Sequence, residues 1–303
     1  MRLNFRNPTL AISLLLCLAV PRELSAQHTV RYKLVEFTLG GPISYYAFDG
    51  DGARLLNKAG VVSSSADTTL ADPFAGVFCF NPDCLLANAY RWRNGVMTDL
   101  GSLVNDFNSA MPSLNDRGWS VGASQTGIID NGDPQLHATL WMARRIVDLG
   151  VVRGGSDSFA TSINNAGQVV GVSNNGVADP FSPFGVQVRT FLWEEGELRD
   201  IGTLGGPDAN SGPGCNNQRP GVIVGSSYTS FTPNETTGIP TQDPFLWENG
   251  KMTDLGTLGG SVGFGQCTNK RLQVIGTSSL AMHPAACLTG EPVATPTSGN
   301  VER

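Results

Sequence analysis

The sequence of 303 residues predicts an all-β protein assembled from a repeated unit. Three observations carry that prediction. First, 37 Gly and 18 Pro break the chain at short intervals, which suits many short strands joined by turns. Second, the apolar runs are brief and β-branched, as in Val169-Val170-Gly171-Val172 and Val222-Ile223-Val224. No window of helix length in the mature chain holds apolar residues at i, i+3, i+4 and i+7. Third, the segment Thr190 to Gly206, centred on Phe191-Leu192-Trp193, returns almost intact as Pro244 to Gly260, centred on Phe245-Leu246-Trp247. Weaker copies carry Trp92 and Trp141, and the steps between tryptophans are 49, 52 and 54 residues. A unit that short cannot bury an apolar face by itself, so neighbouring copies must stack.

Taken in chain order, residues 1–26 read as a secretory signal peptide. Arg2 and Arg6 precede an apolar core from Leu10 to Val20, and Pro21 and Leu24-Ser25-Ala26 follow as breaker and cut site. The core is too short for the roughly 20 residues of a membrane span. Cleavage removes three Arg and one Glu, moving the net charge from −6 to −8. An acidic chain without a basic cluster lacks the footprint that nucleic acids require, and no membrane insertion of the mature chain is expected. Residues 27–290 form the repeat domain, and residues 291–303 are read as a disordered tail.

Each unit has four pieces. An apolar strand ends in Trp. A tight turn follows, such as Glu194-Glu195-Gly196 or Glu248-Asn249-Gly250, where Gly supplies positive φ. A second strand ends in Asp-Leu-Gly or Asp-Ile-Gly at Asp99, Asp148, Asp200 and Asp254. After a Gly-rich loop, a third strand, Ser162 to Gly167, turns through Asn-Ala-Gly into a fourth, Gln168 to Ser173. The units span about 31–65, 88–124, 137–173, 189–227 and 243–279. Segments 125–136, 174–188 and 228–242, rich in Gly, Pro, Asn, Asp and Ser, read as inter-unit loops, where a scaffold of this kind carries specificity.

Four short antiparallel strands per unit, stacked face to face, predict a β-propeller of about five four-stranded blades. The first unit lacks a Trp strand, whereas Pro284 to Gly290 aligns on Pro244 to Gly250 with Cys287 in the place of Trp247. Residues 283–290 are therefore expected to complete the first unit and close the ring by pairing N- and C-terminal strands, which removes exposed sheet edges. The alternative is a piece of a longer array.

The units resemble the HAF repeat, a family of bacterial extracellular repeats named for a His-Ala-Phe opening ahead of Leu-Trp. The likeness rests on His137-Ala138-Thr139-Leu140-Trp141, the two near-identical copies and Ile163 to Gly171, and spans roughly residues 31–290. Asn88, Arg189 and Asp243 stand at the His position in three units. The resemblance implies an exported protein and brings no catalytic residues with it.

Single residues read mostly as framework. Trp92, Trp141, Trp193 and Trp247 are wedges between units, the competing role being a sugar platform. Asp99, Asp148, Asp200 and Asp254 cap strand ends, since copies of one residue do not supply the unlike roles of a catalytic set. His137 and His283 are too few for zinc. Asp49-Gly50-Asp51-Gly52 and Asp130-Asn131-Gly132-Asp133 resemble calcium loops, but Gly60 stands where an EF-hand requires Glu. Both are read as Asx-Gly turns, leaving at most an adventitious Ca²⁺, and no cofactor is expected. Of five mature cysteines, Cys79 and Cys84 flank a Pro-containing turn and are expected to form a disulfide. Cys215 and Cys267 replace Ile163 in later units and read as small buried apolar residues, the lesser option being an inter-blade disulfide, with Cys287 unassigned. Asn234-Glu235-Thr236 is a glycosylation sequon in a glycosylating host.

Neither a Ser/His/Asp arrangement nor a phosphate loop is present. The expectation is a secreted, non-catalytic scaffold that binds an extracellular glycan or protein through variable inter-blade loops. The competing reading is a carbohydrate-active enzyme with acidic residues in the propeller funnel.

Overall fold

The computed structural model describes residues 33–42, 44–45, 54–76, 79–130, 132–143, 145–212, 219–281 and 300–301. The chain divides into two units, residues 1–36, of which 33–36 are described and carry no strand, and residues 37–303. The predicted signal peptide, the closing strand 283–290, most of the tail, Asp49 to Gly52, Cys215, His283 and Cys287 lie outside the described residues.

The second unit is all-β, with no helix among the described residues. A first sheet runs in the order β1 (Ser44–Tyr45), β2 (Val62–Ala71), β3 (Leu85–Arg93) and β4 (Val96–Gly101). The second holds β5 (Ser109–Leu114), β6 (Ser120–Asp130), β7 (Asp133–Met142) and β8 (Arg145–Gly150). The third holds β9 (Ser158–Ile163), β10 (Val169–Ala178), β11 (Val186–Glu194) and β12 (Glu197–Asp200). A seven-stranded sheet follows. Its first part is β13 (Ala209–Ser211), β14 (Val222–Pro233), β15 (Pro240–Glu248) and β16 (Lys251–Asp254). Its second part is β17 (Gly259–Thr268), β18 (Val274–Leu280) and β19 (Asn300–Val301). The two parts meet at one parallel bridge, Gln242 to Val262, and every other pairing between these strands is antiparallel.

The sheets cut the repeat at a different point from the sequence unit. Each four-stranded sheet opens on the strand before the Asn turn and closes on the Asp-Leu-Gly or Asp-Ile-Gly strand, so residues 88–124 are shared between the first two sheets. The reason is local. Gly101, Gly150, Gly202 and Gly256 adopt φ of 66°, 76°, 89° and 68°, which turns the chain out of one sheet and into the next. The first sheet consequently holds its own Trp strand, β3 with Trp92, where the sequence reading left a gap for residues 283–290. Among the described residues no ladder joins the first sheet to the last strands, and the sheets are not closed into a ring.

Strand direction gives every sheet two unlike ends. At one end lie the tight turns. Asn94-Gly95, Glu195-Gly196 and Asn249-Gly250 each place both central residues at positive φ, the type I′ geometry that matches strand twist. At the other end, β2–β3, β6–β7, β10–β11 and β14–β15 run on as long hairpins. Segments 125–136, 174–188 and 228–242, expected as loops, are therefore largely strand. Their polar, Gly-rich composition reflects a bulge in each ladder, at Asp67/Ala71, Gln125/Ile129, Asn174/Ala178 and Tyr228/Pro233.

The core lies between sheets, where the leucine-bearing face of one meets the tryptophan-bearing face of the next. Val121, Leu140 and Leu149 pack against Ile163, Val169 and Phe191, with Trp193 alongside. Val170 and Leu192 pack against Ile223, Phe245 and Trp247. Each leucine buried this way contributes about 1.5–3 kcal/mol. Gly171 and Gly225 make room within their own sheets for the rings of their cross-strand partners: a Cβ there would stand 2.6 and 2.8 Å from the Phe191 and Phe245 rings. Between the first two sheets the buried apolar set shrinks to Ala89 and Trp141, with Leu100 packed against them.

Candidate functional site

The repeated aspartates occupy one position in every sheet and bind the turn behind them. Asp99, Asp148, Asp200 and Asp254 each accept a hydrogen bond from the N–H of the Gly two residues on, at 2.7–2.8 Å. What faces their other oxygen differs in each copy. Asn88 donates its Nδ2 to Asp99 at 3.0 Å, His137 Nδ1 lies 2.8 Å from Asp148, and Arg189 Nε donates to Asp200 at 2.9 Å. The hydrogen bond that His137 donates to Asp148, outweighing burial, raises the His137 imidazole above its ordinary value. On the Asp148 side burial pulls upward, but the His137 and Gly150 hydrogen bonds outweigh it and the carboxyl sits low. The fourth copy sets an acid against an acid. Burial, then the charge of Asp254 and a hydrogen bond to it, push Asp243 up to about 6. Nearby, burial and then the Asp179 carboxyl push Asp208 up to about 6, against the pull of the Val188 N–H.

The tryptophans sit in the joints between sheets. Trp141 is 2% exposed and donates Nε1 to the Gly101 carbonyl of the preceding sheet at 3.2 Å. Trp247 belongs to the joint between the third and fourth copies, and Trp193 to the one before it. Trp92, with Tyr90, is covered by Phe37, whose ring centroid lies 5.5 Å from Trp92 and 5.9 Å from Tyr90. A second set of links runs through asparagines at the tight-turn end. Asn57, Asn115, Asn164 and Asn269 each cap their own turn with Oδ1. Asn57 Nδ2 also donates to the Asn115 carbonyl, and Asn115 Nδ2 to the Asn164 carbonyl, at 3.1 and 3.0 Å.

The long hairpins end in exposed apolar side chains. Leu70, Ile128, Ile129, Val177, Phe184 and Phe231 are 51, 55, 45, 52, 74 and 62% exposed, and every one of the four hairpins contributes at least one. The first hairpin carries the predicted Cys79–Cys84 disulfide. Buried Asp72 braces that segment, accepting from the Phe74 and Phe80 N–H groups and from Asn108 Nδ2 of the connection to the next sheet. The Phe74 and Phe107 rings pack alongside, tilted, with centroids 5.3 Å apart. Cys267, read from sequence first as a small buried apolar residue, is half-buried and disulfide-bonded.

At the opposite end, between the first and second sheets, lies a cavity of about 490 Å³ lined by Arg91, Arg93, Arg117, Thr98, Val96 and Asp116 among others. Asp116 is already engaged: Arg54 pairs with it, Lys58 Nζ lies at 3.6 Å and Asn165 Nδ2 donates at 2.9 Å. The Asn165 hydrogen bond, with the Lys58 N–H and Arg54, holds its carboxyl at about 2. Sequence reasoning passed over this cluster because its arginines are scattered over 27 residues and form no run. The signal was available in the alignment of copies, where Arg91 stands in line with Leu140, Leu192 and Leu246.

Among the described residues no three His, Cys, Asp or Glu side chains gather as metal ligands, and no helix is long and apolar enough to cross a membrane. No family model and no curated protein matches the chain. Among solved structures it is similar to the β-propeller domain of the Trilobed protease from Pyrococcus furiosus, at 11% identity and a TM-score of 0.39. The match covers 67% of this chain and 51% of that one, so the chain spans about half that structure's length.

Proposed function

We propose that the protein is an exported, non-catalytic scaffold whose stacked sheets are blades of a propeller of about five, and that it binds another macromolecule through the long-hairpin end. The exposed apolar residues at the four hairpin tips carry this reading. Aliphatic and phenyl groups held open to water on a braced framework are worth covering, at roughly 25 cal/mol per Å² buried, and favour a protein partner over a glycan. The disulfide and the resemblance to HAF repeats support an oxidising, extracellular location. The carboxylates that do converge among the described residues, Asp243 with Asp254 and Asp208 with Asp179, are in hydrogen-bonding contact, closer than the roughly 5–9 Å by which glycosidases separate their acid and base. That weighs against the carbohydrate-active enzyme.

The test immobilises the chain against an extracellular protein fraction, beside an Ile128→Ser/Phe184→Ser/Phe231→Ser variant. A species retained by the parent and lost by the variant, with unchanged thermal unfolding, is expected. Hydrolysis of a plant or microbial polysaccharide, abolished by replacing one carboxylate, would overturn the binding reading.

A further inference from the structure

The joint between the first two sheets departs from the other joints at a core position. Leu140 and Leu192 are each 1% exposed and fill the gaps that follow their sheets. The first copy carries Arg91 there, and the gap stays open as the cavity of about 490 Å³. Alternation along β3 puts Arg93 on the same face as Arg91, and the cross-strand register brings Thr98 and Val96 opposite them on β4. Arg117 enters from the neighbouring turn, its guanidinium 5.2 Å above the Trp119 ring.

Arg91, in the leucine's place, is half-buried and gives up part of its hydration, a cost that a protein normally offsets with a carboxylate partner, whereas Arg93 beside it is exposed. Arg91 and Arg93 have none: neither forms an ion pair or hydrogen bond with any described residue. The one carboxylate in the lining is taken by Arg54, Lys58 and Asn165. The result is an excess of positive charge in a chain whose net charge is −6. Planar guanidinium forks match carboxylate and sulfate oxygens two at a time. The volume falls in the roughly 300–1,000 Å³ range of small-molecule pockets, far more than a bare ion fills.

We propose that this cavity binds a unit of an acidic saccharide, with its carboxylate or sulfate held by Arg91 and Arg93, flanked by Arg117, and its ring against Thr98 and Val96. The site is independent of the hairpin end: it lies at the other end of the sheets and does not need the partner proposed there.

The experiment is calorimetric titration of the full chain with four probes: an oligo-uronate, a sulfated oligosaccharide, a neutral oligosaccharide of the same length and inorganic sulfate. Arg91→Leu restores the residue of the other three copies and is expected to fold at least as stably as the parent. Arg93→Gln is a second, milder variant. Binding of one or both acidic oligosaccharides is expected, weakening as salt rises, and falling about tenfold or more in each variant, the loss expected for a charged hydrogen bond. The uronate and sulfate arms decide which acidic group is preferred. Equal binding of the neutral oligosaccharide, inorganic sulfate binding as tightly as the saccharides, or Arg91→Leu with undiminished affinity would each overturn the proposal. So would an absence of binding by both acidic probes.

Discussion

Replacing Asp243 by Asn should stabilise the protein at neutral pH and leave it unchanged in acid. Asp243 faces Asp254 at the position where the first sheet sets Asn88 against Asp99. Its carboxyl is pushed from 3.8 up to about 6, chiefly by burial and then by its neighbour. A raised acid stabilises the fold fully below its unfolded value near 3.8, and that contribution is lost as pH climbs through about 6. Above that, two carboxylates confront each other. At about 1.4 kcal/mol per pKa unit the shift corresponds to ~3 kcal/mol, which the partial exposure of the pair reduces to about 1 kcal/mol. In Asp243→Asn, the amide donates to Asp254 at every pH, as Asn88 does to Asp99. Thermal unfolding followed by circular dichroism from pH 4 to 7.5 should give coincident midpoints at pH 4. By pH 7.5 the variant should lead by about 2–4 °C, the shift that 1 kcal/mol produces in a chain of this size. A variant that melts lower at pH 7.5, or a difference that ignores pH, would refute the argument.

Other perturbations probe the framework. Leu192→Ala, at 1% exposure in the joint between the third and fourth copies, should cost about 3 kcal/mol in urea unfolding. Asn115→Ala removes the acceptor for the Arg117 and Trp119 N–H groups and the donor to Asn164, and should cost about 2 kcal/mol by the same measurement. Cys79→Ser with Cys84→Ser should cost about 2 kcal/mol on the loop-entropy scale. Its faster amide exchange should be confined to residues 72–84.

Much of the framework was legible in sequence because it rests on features one residue wide. Trp and Leu fix which faces pack, and the Asp-Leu-Gly and Asn-Gly steps fix the turns. The long hairpins were hidden because a bulged, half-exposed strand carries turn-forming residues and loses the alternation that marks a strand. Gly127 and Gly176, at φ of 82° and 71°, look like loop glycines and are bulge glycines. Where each sheet begins was hidden as well, since a tandem repeat reads the same from any starting point and only the ladders choose one. The candidate sites were faint because each is a departure from the repeat. Arg91 matters by standing in a leucine's place, and Asp243 by standing in a donor's place.

The bulges have a consequence for how such a chain can diversify. In every copy the bulge opens at the fifth residue beyond the partner of the tryptophan: Asp67 after Val62, Gln125 after Ser120, Asn174 after Val169 and Tyr228 after Ile223. Across it the first strand of the hairpin advances four residues in three copies and five in the fourth, while its partner always advances two. Slack is thus absorbed at one fixed rung, and the ladder beneath keeps its register whatever length or sequence lies above. The hairpins behave as cartridges on a common socket. A tip grafted from one sheet to another at that rung should seat without repacking the joint below, so recognition can be swapped one sheet at a time while the stack stays intact.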